Sequence, residues 1–365
     1  MRDRGEHGRF VRAHHVAARL AWVRAHEPAV FAAIAHVLPA KDFLNFRLTG
    51  RVASDPASNA PLAPSGRYAR RLLDAARLQR AWFARLRVPR APLGRVRRGL
   101  PGALARLAGA RVAVSSMDAW CATLGLGAHR AGLGYNLSGT SEVNGVMLAR
   151  RARAPGLVSL PWDVDAEGAT LFHLGGPSQA GADCLAWLAG VTGADVETLA
   201  DEAERADLDS RPLVFLPYLH GERVPFWDPG LRGGFAGLAR DHTRGDLARA
   251  VMEGVALHDR LVFERAARAA GGKPEAVLDA GGGASSDLWC RIKADAWGCE
   301  LRRPAGEEPG LRGAFLLARG TVEPDAAPLA PPDAVIFRPD PARAASLDSR
   351  YARFRAALAG LDVGG

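Results

Sequence analysis

Three places in the chain combine polar groups with the backbone freedom that ligand chemistry needs. Asp118 follows Val112, Val114, Ser115, Ser116 and Met117, a short strand of branched and small residues, and precedes a helix running through Leu124. A carboxylate where a strand meets a helix sits at a cleft edge. The same position makes Asp118 an N-cap for the helix that follows, and the residues alone allow both readings. Gly139, Thr140 and Ser141 lie between two alternating stretches, with Tyr135 and Leu137 on one side and Val143, Val146 and Leu148 on the other, so they read as the turn of a β-hairpin. At Gly281, Gly282, Gly283 and Ala284, a strand through Val277 and Leu278 turns and continues, after Asp287, as a helix from Leu288 to Trp297. Strand, glycine turn and helix let a backbone approach a nucleotide closely. The G-x-G at Gly125 and Gly127 follows a helix and carries no such meaning, and the absence of any G-x-x-x-x-G-K-[ST] sequence excludes P-loop chemistry.

The elements that position these groups follow from periodicity. Val214, Phe215 and Leu216 form a brief strand closed by Pro217, and Gly221, Pro225, Pro229 and Gly230 keep the chain irregular until Gly233. A helix then starts at Thr243, with Leu247, Ala250, Val251, Gly254, Val255 and Leu257 at helical spacing. Upstream, Val11 to Val37 reads as two helices broken at Pro28, and Phe43, Leu44, Phe46 and Leu48 line a helix that Gly50 ends as a C-cap. Tyr68 to Leu86 is expected to be helical, Pro89 to Pro101 a connector and Leu104 to Ala108 a short helix. Leu171 to Leu188 is expected to hold a turn at Gly175 and Gly176 and then a helix carrying Trp187; Asp195 to Ala206 is an acidic, solvated helix. Gly310, Gly313, Ala314 and Leu317 mark a helix with a small-residue face, and Pro339 to Leu361 a closing helix.

At 365 residues and 48% hydrophobic content, the chain can fill two hydrophobic cores. No stretch of transmembrane length lacks a charge, and the start MRDRGEHGRF has no apolar segment of the kind a secretory signal needs, so the protein is expected in the cytoplasm, away from membranes. The net charge of +9 is spread along the sequence instead of gathered in a tract, which argues against nucleic acid as a partner. Arginine replaces lysine almost everywhere, leaving only Lys41, Lys273 and Lys293, a pattern that reads as compositional bias. Cys121, Cys184, Cys290 and Cys299 have neither CxxC nor metal-ligand spacing and read as reduced, partly buried thiols.

The order Gly233, Phe235, Gly237, Leu238, seven residues, then Asp246, Leu247, Ala250, Val251, Met252 and Glu253 resembles the C-terminal signature of the FGGY carbohydrate kinases. The loop GERVPFWDP from Gly221 is similar to the family's GERxP loop in its pentulose and gluconate kinase form, and KDFLNFRLTGRVASD from Lys41 is similar to the family's KDYLRYRLTGEYATD. The resemblance implies an α/β architecture, the actin-like ATPase (ribonuclease H-like) fold, with one partial and one near-complete domain. Domains would span 1–129 and 130–330, with a tail and helix at 331–365. It further implies ATP with Mg²⁺ and a small-molecule sugar, a ketose or sugar acid, as substrate, with a homodimer admitted as the assembly. Asp118 matches the aspartate of a GDN or GDQ motif that acts as general base on the sugar hydroxyl, with Ala119 in place of the amide. Gly139, Thr140 and Ser141 match the second phosphate-binding hairpin, and Gly281, Gly282, Gly283, Ala284 and Asp287 match the adenosine motif, where glycerol kinases place an asparagine at the aspartate. Gly175 and Gly176 match a segment near the nucleotide, and there a plain glycine-started helix remains an equal reading.

The resemblance runs from about Val11 to Leu361 and begins partway into the family's N-terminal domain; no DxGT-type first phosphate loop occurs in these residues. Two expectations follow: either a sugar kinase whose first segment is missing or supplied separately, or a module that keeps nucleotide binding without catalysis. With that segment missing, Leu20, Trp22, Phe31, Phe43 and Phe46 are expected to be uncovered.

Overall fold

A computed structural model describes residues 15–60, 62–64, 66–164, 170–306, 308–323 and 332–361, the side chains of 163 and 164 apart. In chain order the elements are α1 (Val16–His26), α2 (Pro28–Ala32), α3 (Ala40–Thr49), α4 (Arg70–Ala75), β1 (Pro92–Arg95), β2 (Arg111–Ala113), α5 (Asp118–Leu126), β3 (Leu133–Ser138), β4 (Glu142–Leu148), β5 (Val158–Val164) and β6 (Thr170–Pro177). They continue with α6 (Asp183–Thr192), α7 (Val196–Glu204), β7 (Val214–Leu216), β8 (Gly234–Ala236), α8 (Arg244–Ala270), β9 (Ala276–Ala280), α9 (Asp287–Trp297), β10 (Glu300–Pro304), α10 (Pro309–Val322), β11 (Ala334–Phe337) and α11 (Pro341–Ala359). The start of the first expected helix, before residue 15, lies outside the described residues.

The chain forms two compact units, one of Met1–Cys121, Leu160–Asp163 and Gly310–Pro328, the other of Ala122–Ser159, Val164–Pro309 and Leu329–Gly365. In the first unit Leu20, Leu62, Leu73, Leu78, Trp82 and Phe83 form one small core, and Ala53, Ala91, Leu93 and Val114 form another beneath the antiparallel pair β1 and β2. Leu20 is thus buried, contrary to its expected exposure, because α1 turns it into that core. Trp22 and Phe43 do stand exposed at 54% and 51%, while Phe31 and Phe46 are half-buried. The helix expected over Tyr68 to Leu86 is limited to α4 and one 3-10 turn at Arg80–Trp82: Arg77 takes a positive φ of 54° and breaks the periodicity. The expected connector from Pro89 contains β1, and Gly102–Leu107 is a 3-10 helix. Gly313 of α10 rests on the start of α5, where a Cβ would fall 1.7 Å from the Cys121 carbonyl oxygen.

The second unit is built on a seven-stranded mixed sheet of order β11-β10-β9-β3-β4-β6-β5, with β9 parallel to β3 and β10 and antiparallel pairs elsewhere among β3, β4, β6, β10 and β11. The residues expected as a separate tail contribute β11 to this sheet and α11 to its core, where Leu347, Tyr351, Phe354 and Leu358 are buried. Helix α8 is its central element. Thr243 caps it reciprocally with Asp246, Gly271 ends it at φ 85°, and Trp289 and Trp297 of α9 donate their indole N–H groups to the Met252 and Ala256 carbonyls at 3.0 and 3.1 Å. At Gly254 the helix meets β7 so closely that a Cβ would lie 2.3 Å from the Phe215 carbonyl oxygen. Gly254→Ala should therefore destabilise the protein by about 1–3 kcal/mol through overpacking, outweighing the roughly 1 kcal/mol that alanine gains over glycine in helix propensity. A urea unfolding curve checks this, and an unchanged or raised midpoint would contradict it. All four cysteines are free, and burial pushes the Cys184, Cys290 and Cys299 thiols up to about 12.

Candidate functional site

The pairing of Ser138 with Glu142 closes the β3–β4 hairpin and leaves Gly139, Thr140 and Ser141 as its loop. Ser138 Oγ donates to Glu142 Oε1 at 2.9 Å across that closure and accepts from Lys293 Nζ at 2.6 Å. Lys293 lies on α9, and its ammonium also donates to Asp279 Oδ2 at 3.1 Å and stands 3.7 Å from Glu142 Oε1. Asn136 Nδ2 donates to Asp279 Oδ1 at 3.1 Å, and each of these side chains is inaccessible to solvent. One lysine therefore ties the hairpin to the end of β9, the strand that leads into the glycine turn.

That turn lies against the hairpin. Cβ atoms at Gly281 and Gly283 would come within 2.4 Å of Ser138 O and 2.2 Å of Ser138 Oγ, so both glycines are required by the close approach itself. Gly282 has nothing within 4 Å of its Cβ position and is exposed, as are Thr140 and Gly281, so both loops reach the surface. The groups that could meet phosphate are backbone N–H groups and the hydroxyls of Thr140 and Ser141. Asp287 opens α9 and is paired with Arg303 at 2.8 Å, so its carboxylate is already engaged.

Gly175 and Gly176 are in a different setting from the one expected. No turn occurs there: both lie within β6, opposite Gly145 and Asn144 of β4. A Cβ at Gly175 would be 2.2 Å from the Asn144 carbonyl oxygen, so the glycine is explained by contact between neighbouring strands. The chain turns further on, at 178–182, and there the GERVP loop takes hold. Glu222, 2% exposed, accepts from Gln179 N at 2.6 Å, Ala180 N at 3.3 Å, Ser178 Oγ at 3.0 Å and Arg223 N at 2.6 Å. Arg223 donates to Ser141 Oγ at 3.3 Å and to the Ser178 carbonyl. Glu222, Arg223 and Lys293 thus hold the hairpin from two sides, although the sequence marked none of them singly as a site residue.

Burial lifts the carboxyls around Lys293. Glu142 is raised to about 7, chiefly by loss of solvent, with Lys293 opposing; Asp259, bonded to Asn144 Nδ2 at 2.6 Å, and Asp279 are raised for the same reason. Burial works against the Lys293 ammonium too, but Asp279, Glu142 and Asp259 outweigh it and its pKa rises. Folded Glu142 holds its proton up to about 7, whereas the unfolded chain releases it near the ordinary 4.5. The stability it contributes is complete below the unfolded value and is lost as pH rises through the folded one. The melting temperature should accordingly fall between about pH 5 and about pH 7.5, and fall less steeply in Glu142→Gln. Equal slopes for the two proteins in calorimetric scans would contradict that assignment.

In the first unit Asp118 is the first residue of α5 and is exposed; its Oδ1 accepts from the Ala119 N–H at 2.7 Å. The N-cap reading does not hold: the Met117 carbonyl accepts the first helical bond, from Cys121 N at 3.0 Å, so Asp118 stands at the first helical position, one residue inside the cap, with an exposed carboxylate that could meet a ligand.

Comparison with known proteins places this arrangement. The sequence profile of the FGGY family of carbohydrate kinases, C-terminal domain, matches residues 134–319, more than half of the chain. The chain is 34% identical over 326 residues to the xylulose kinase of Escherichia coli strain K12, an alignment covering 85% of this chain and 64% of that protein. It is 31% identical over 156 residues to the gluconokinase of Bacillus subtilis strain 168, covering 40% and 30% of the two chains. A solved structure described as a xyloylose kinase from Brucella ovis superposes with a TM-score of 0.85 at 28% identity, covering 95% of this chain and 73% of that one. The fold has the α/β architecture of a sugar kinase, and the chain belongs to the FGGY family of carbohydrate kinases. It spans just under two thirds of the length of the E. coli relative. Among the described residues, no helix is long and apolar enough to cross a membrane.

Proposed function

We propose that the protein transfers the γ-phosphoryl group of ATP to a hydroxyl of a sugar, a ketose or sugar acid, in the cytoplasm, as a monomer or homodimer. The observation that carries this reading is the juxtaposition of the Gly139–Ser141 hairpin with the Gly281–Ala284 turn, both fastened to Ser138. Backbone N–H groups and the Thr140 and Ser141 hydroxyls would hold phosphate oxygens on the first loop, and the second would receive the adenosine. In the transfer the sugar oxygen attacks the γ-phosphorus, the bond to the bridging oxygen of ADP breaks, and the hydroxyl proton passes to the Asp118 carboxylate. Mg²⁺, the expected companion of ATP, would neutralise charge on the phosphates. It is ordinarily bound through them with one or two carboxylates, and among the described residues no group of three His, Cys, Asp or Glu side chains could hold it by protein ligands alone. The gluconokinase and xylulose kinase relatives support a sugar acid or ketulose as acceptor.

The test is a coupled ADP-release assay on pentuloses, gluconate and glycerol, with calorimetry of ATP binding beside it. Turnover with a pentulose or a sugar acid is the expected result. ATP binding without turnover on any acceptor would overturn it in favour of a nucleotide-binding module, the reading to which Ala119 points.

A further inference from the structure

A buried polar cluster in the first unit is fastened to the strand end that carries Asp118. Lys41 of α3 sits between two carboxylates, 2.5 Å from Asp42 Oδ1 and 2.9 Å from Asp55 Oδ1, and donates to the Val114 carbonyl at 3.3 Å. One turn later, Asn45 Nδ2 donates to that same carbonyl at 3.0 Å. Ser116 Oγ donates to Asp55 Oδ2 at 2.6 Å. Asp55 also accepts from the Ser58 N–H, Asp42 accepts from Ser54 Oγ, and Asn59 Nδ2 donates to Ser54 Oγ at 2.6 Å. Asp42, Ser54, Asp55 and Ser116 are each no more than 4% exposed.

Between the two anchor points lies Ser115, with φ at 62°, the left-handed region that a residue with a Cβ enters only at a cost. Its N–H donates to the Pro89 carbonyl at 2.8 Å, and Val114 N donates to Ala91 O at 3.0 Å. Both residues flanking the left-handed step are therefore held, Val114 through its carbonyl and Ser116 through its hydroxyl. That step sets the direction in which the chain enters α5, and Asp118 is two residues beyond Ser116. A buried ion pair is weak evidence for stability, because well-packed apolar residues of similar volume often serve as well or better. What apolar residues could not supply is directed bonds to one carbonyl and one hydroxyl on either side of a strained residue.

We infer that Lys41, Asn45 and Asp55 are positioning residues for Asp118, acting through Val114 and Ser116 on the left-handed step at Ser115. This rests on the proposed role of Asp118 as base. Displacing a reacting group by about 1 Å costs on the order of 10²-fold in rate, so Ser116→Ala and Asp55→Asn should each lower kcat by about 10- to 100-fold. KM for ATP should stay within about twofold, since the nucleotide loops belong to the other unit. The measurements, on the whole chain, are kcat per calorimetrically counted ATP site, which removes any loss from misfolding, and hydrogen exchange of the amides at 113–119, which should quicken in both variants. Unchanged kcat per ATP site beside an active wild type, or unchanged exchange, overturns the positioning role. An inactive wild type with quickened exchange in the variants would count against the proposed activity and leave the anchoring supported.

Discussion

Lys293→Met should cost about 3–5 kcal/mol of folding stability, because removing one partner of a buried pair leaves uncompensated charge behind. The ammonium lies among Asp279, Glu142 and Asp259, all without solvent contact, and it is the cation that stabilises their ionised forms. Methionine would fill the aliphatic path of the lysine but leave the carboxyls to take up protons in compensation. The loss should therefore grow with pH: smaller near pH 5, where protons are plentiful, and larger near pH 8, about 1.4 kcal/mol for each proton and pH unit. Lys293→Arg should not restore stability, since a planar fork cannot replace a point charge that donates to Ser138 Oγ at 2.6 Å and Asp279 Oδ2 at 3.1 Å. Because the same bonds tie the hairpin to the strand entering the glycine turn, ATP affinity should weaken together with stability. Urea unfolding at the two pH values is the measurement, and a loss below about 1 kcal/mol at both would show that the cluster is not held by its cation.

The elements carrying the site were legible wherever chemistry is local. The helix start at Thr243, the αL end at Gly50, the hairpin at 139–141 and the strand, turn and helix around Gly281 are each determined by residues within a few positions of one another, and the structure has them all. What failed depended on distant neighbours. Gly175 and Gly176 looked like a turn because paired glycines usually are one, yet a Cβ at Gly175 would lie 2.2 Å from the Asn144 carbonyl oxygen, some thirty positions upstream in sequence, and one at Gly176 would lie 2.5 Å from Val224 Cγ2. Leu20 looked uncovered because Leu62, Leu73 and Trp82, which cover it, come from separate short elements. One signal was visible and went unused. In a chain where arginine has displaced lysine nearly everywhere, two of the three remaining lysines, Lys41 and Lys293, are the ones enclosed by carboxylates. Those enclosures demand a compact ammonium, so the compositional bias itself pointed to the two buried clusters beside the candidate site.

Asp118→Asn should reduce kcat by about 10²–10⁴-fold, the range that a positioned general base contributes. Asparagine has the same outline and its carbonyl oxygen can still accept from Ala119 N–H, the bond Asp118 makes at 2.7 Å, so the start of α5 should keep its geometry. The side chain is exposed, and a substitution there belongs to the class whose stability effects stay within about 0.5 kcal/mol. A fall in rate could then not be assigned to unfolding. ATP affinity should be retained, because the hairpin and glycine turn lie in the other unit and owe their placement to Lys293, Glu222 and Arg223. A role confined to the first turn of α5 predicts the reverse pattern, a small change in melting temperature with no change in rate, through loss of a negative charge that favours a helix N-terminus. Measuring kcat, ATP affinity and melting temperature on the one variant separates the two roles. If kcat stays within about fivefold of the parent while ATP is still bound, proton transfer to Asp118 is not part of the reaction, and the base must be sought among other groups near the acceptor.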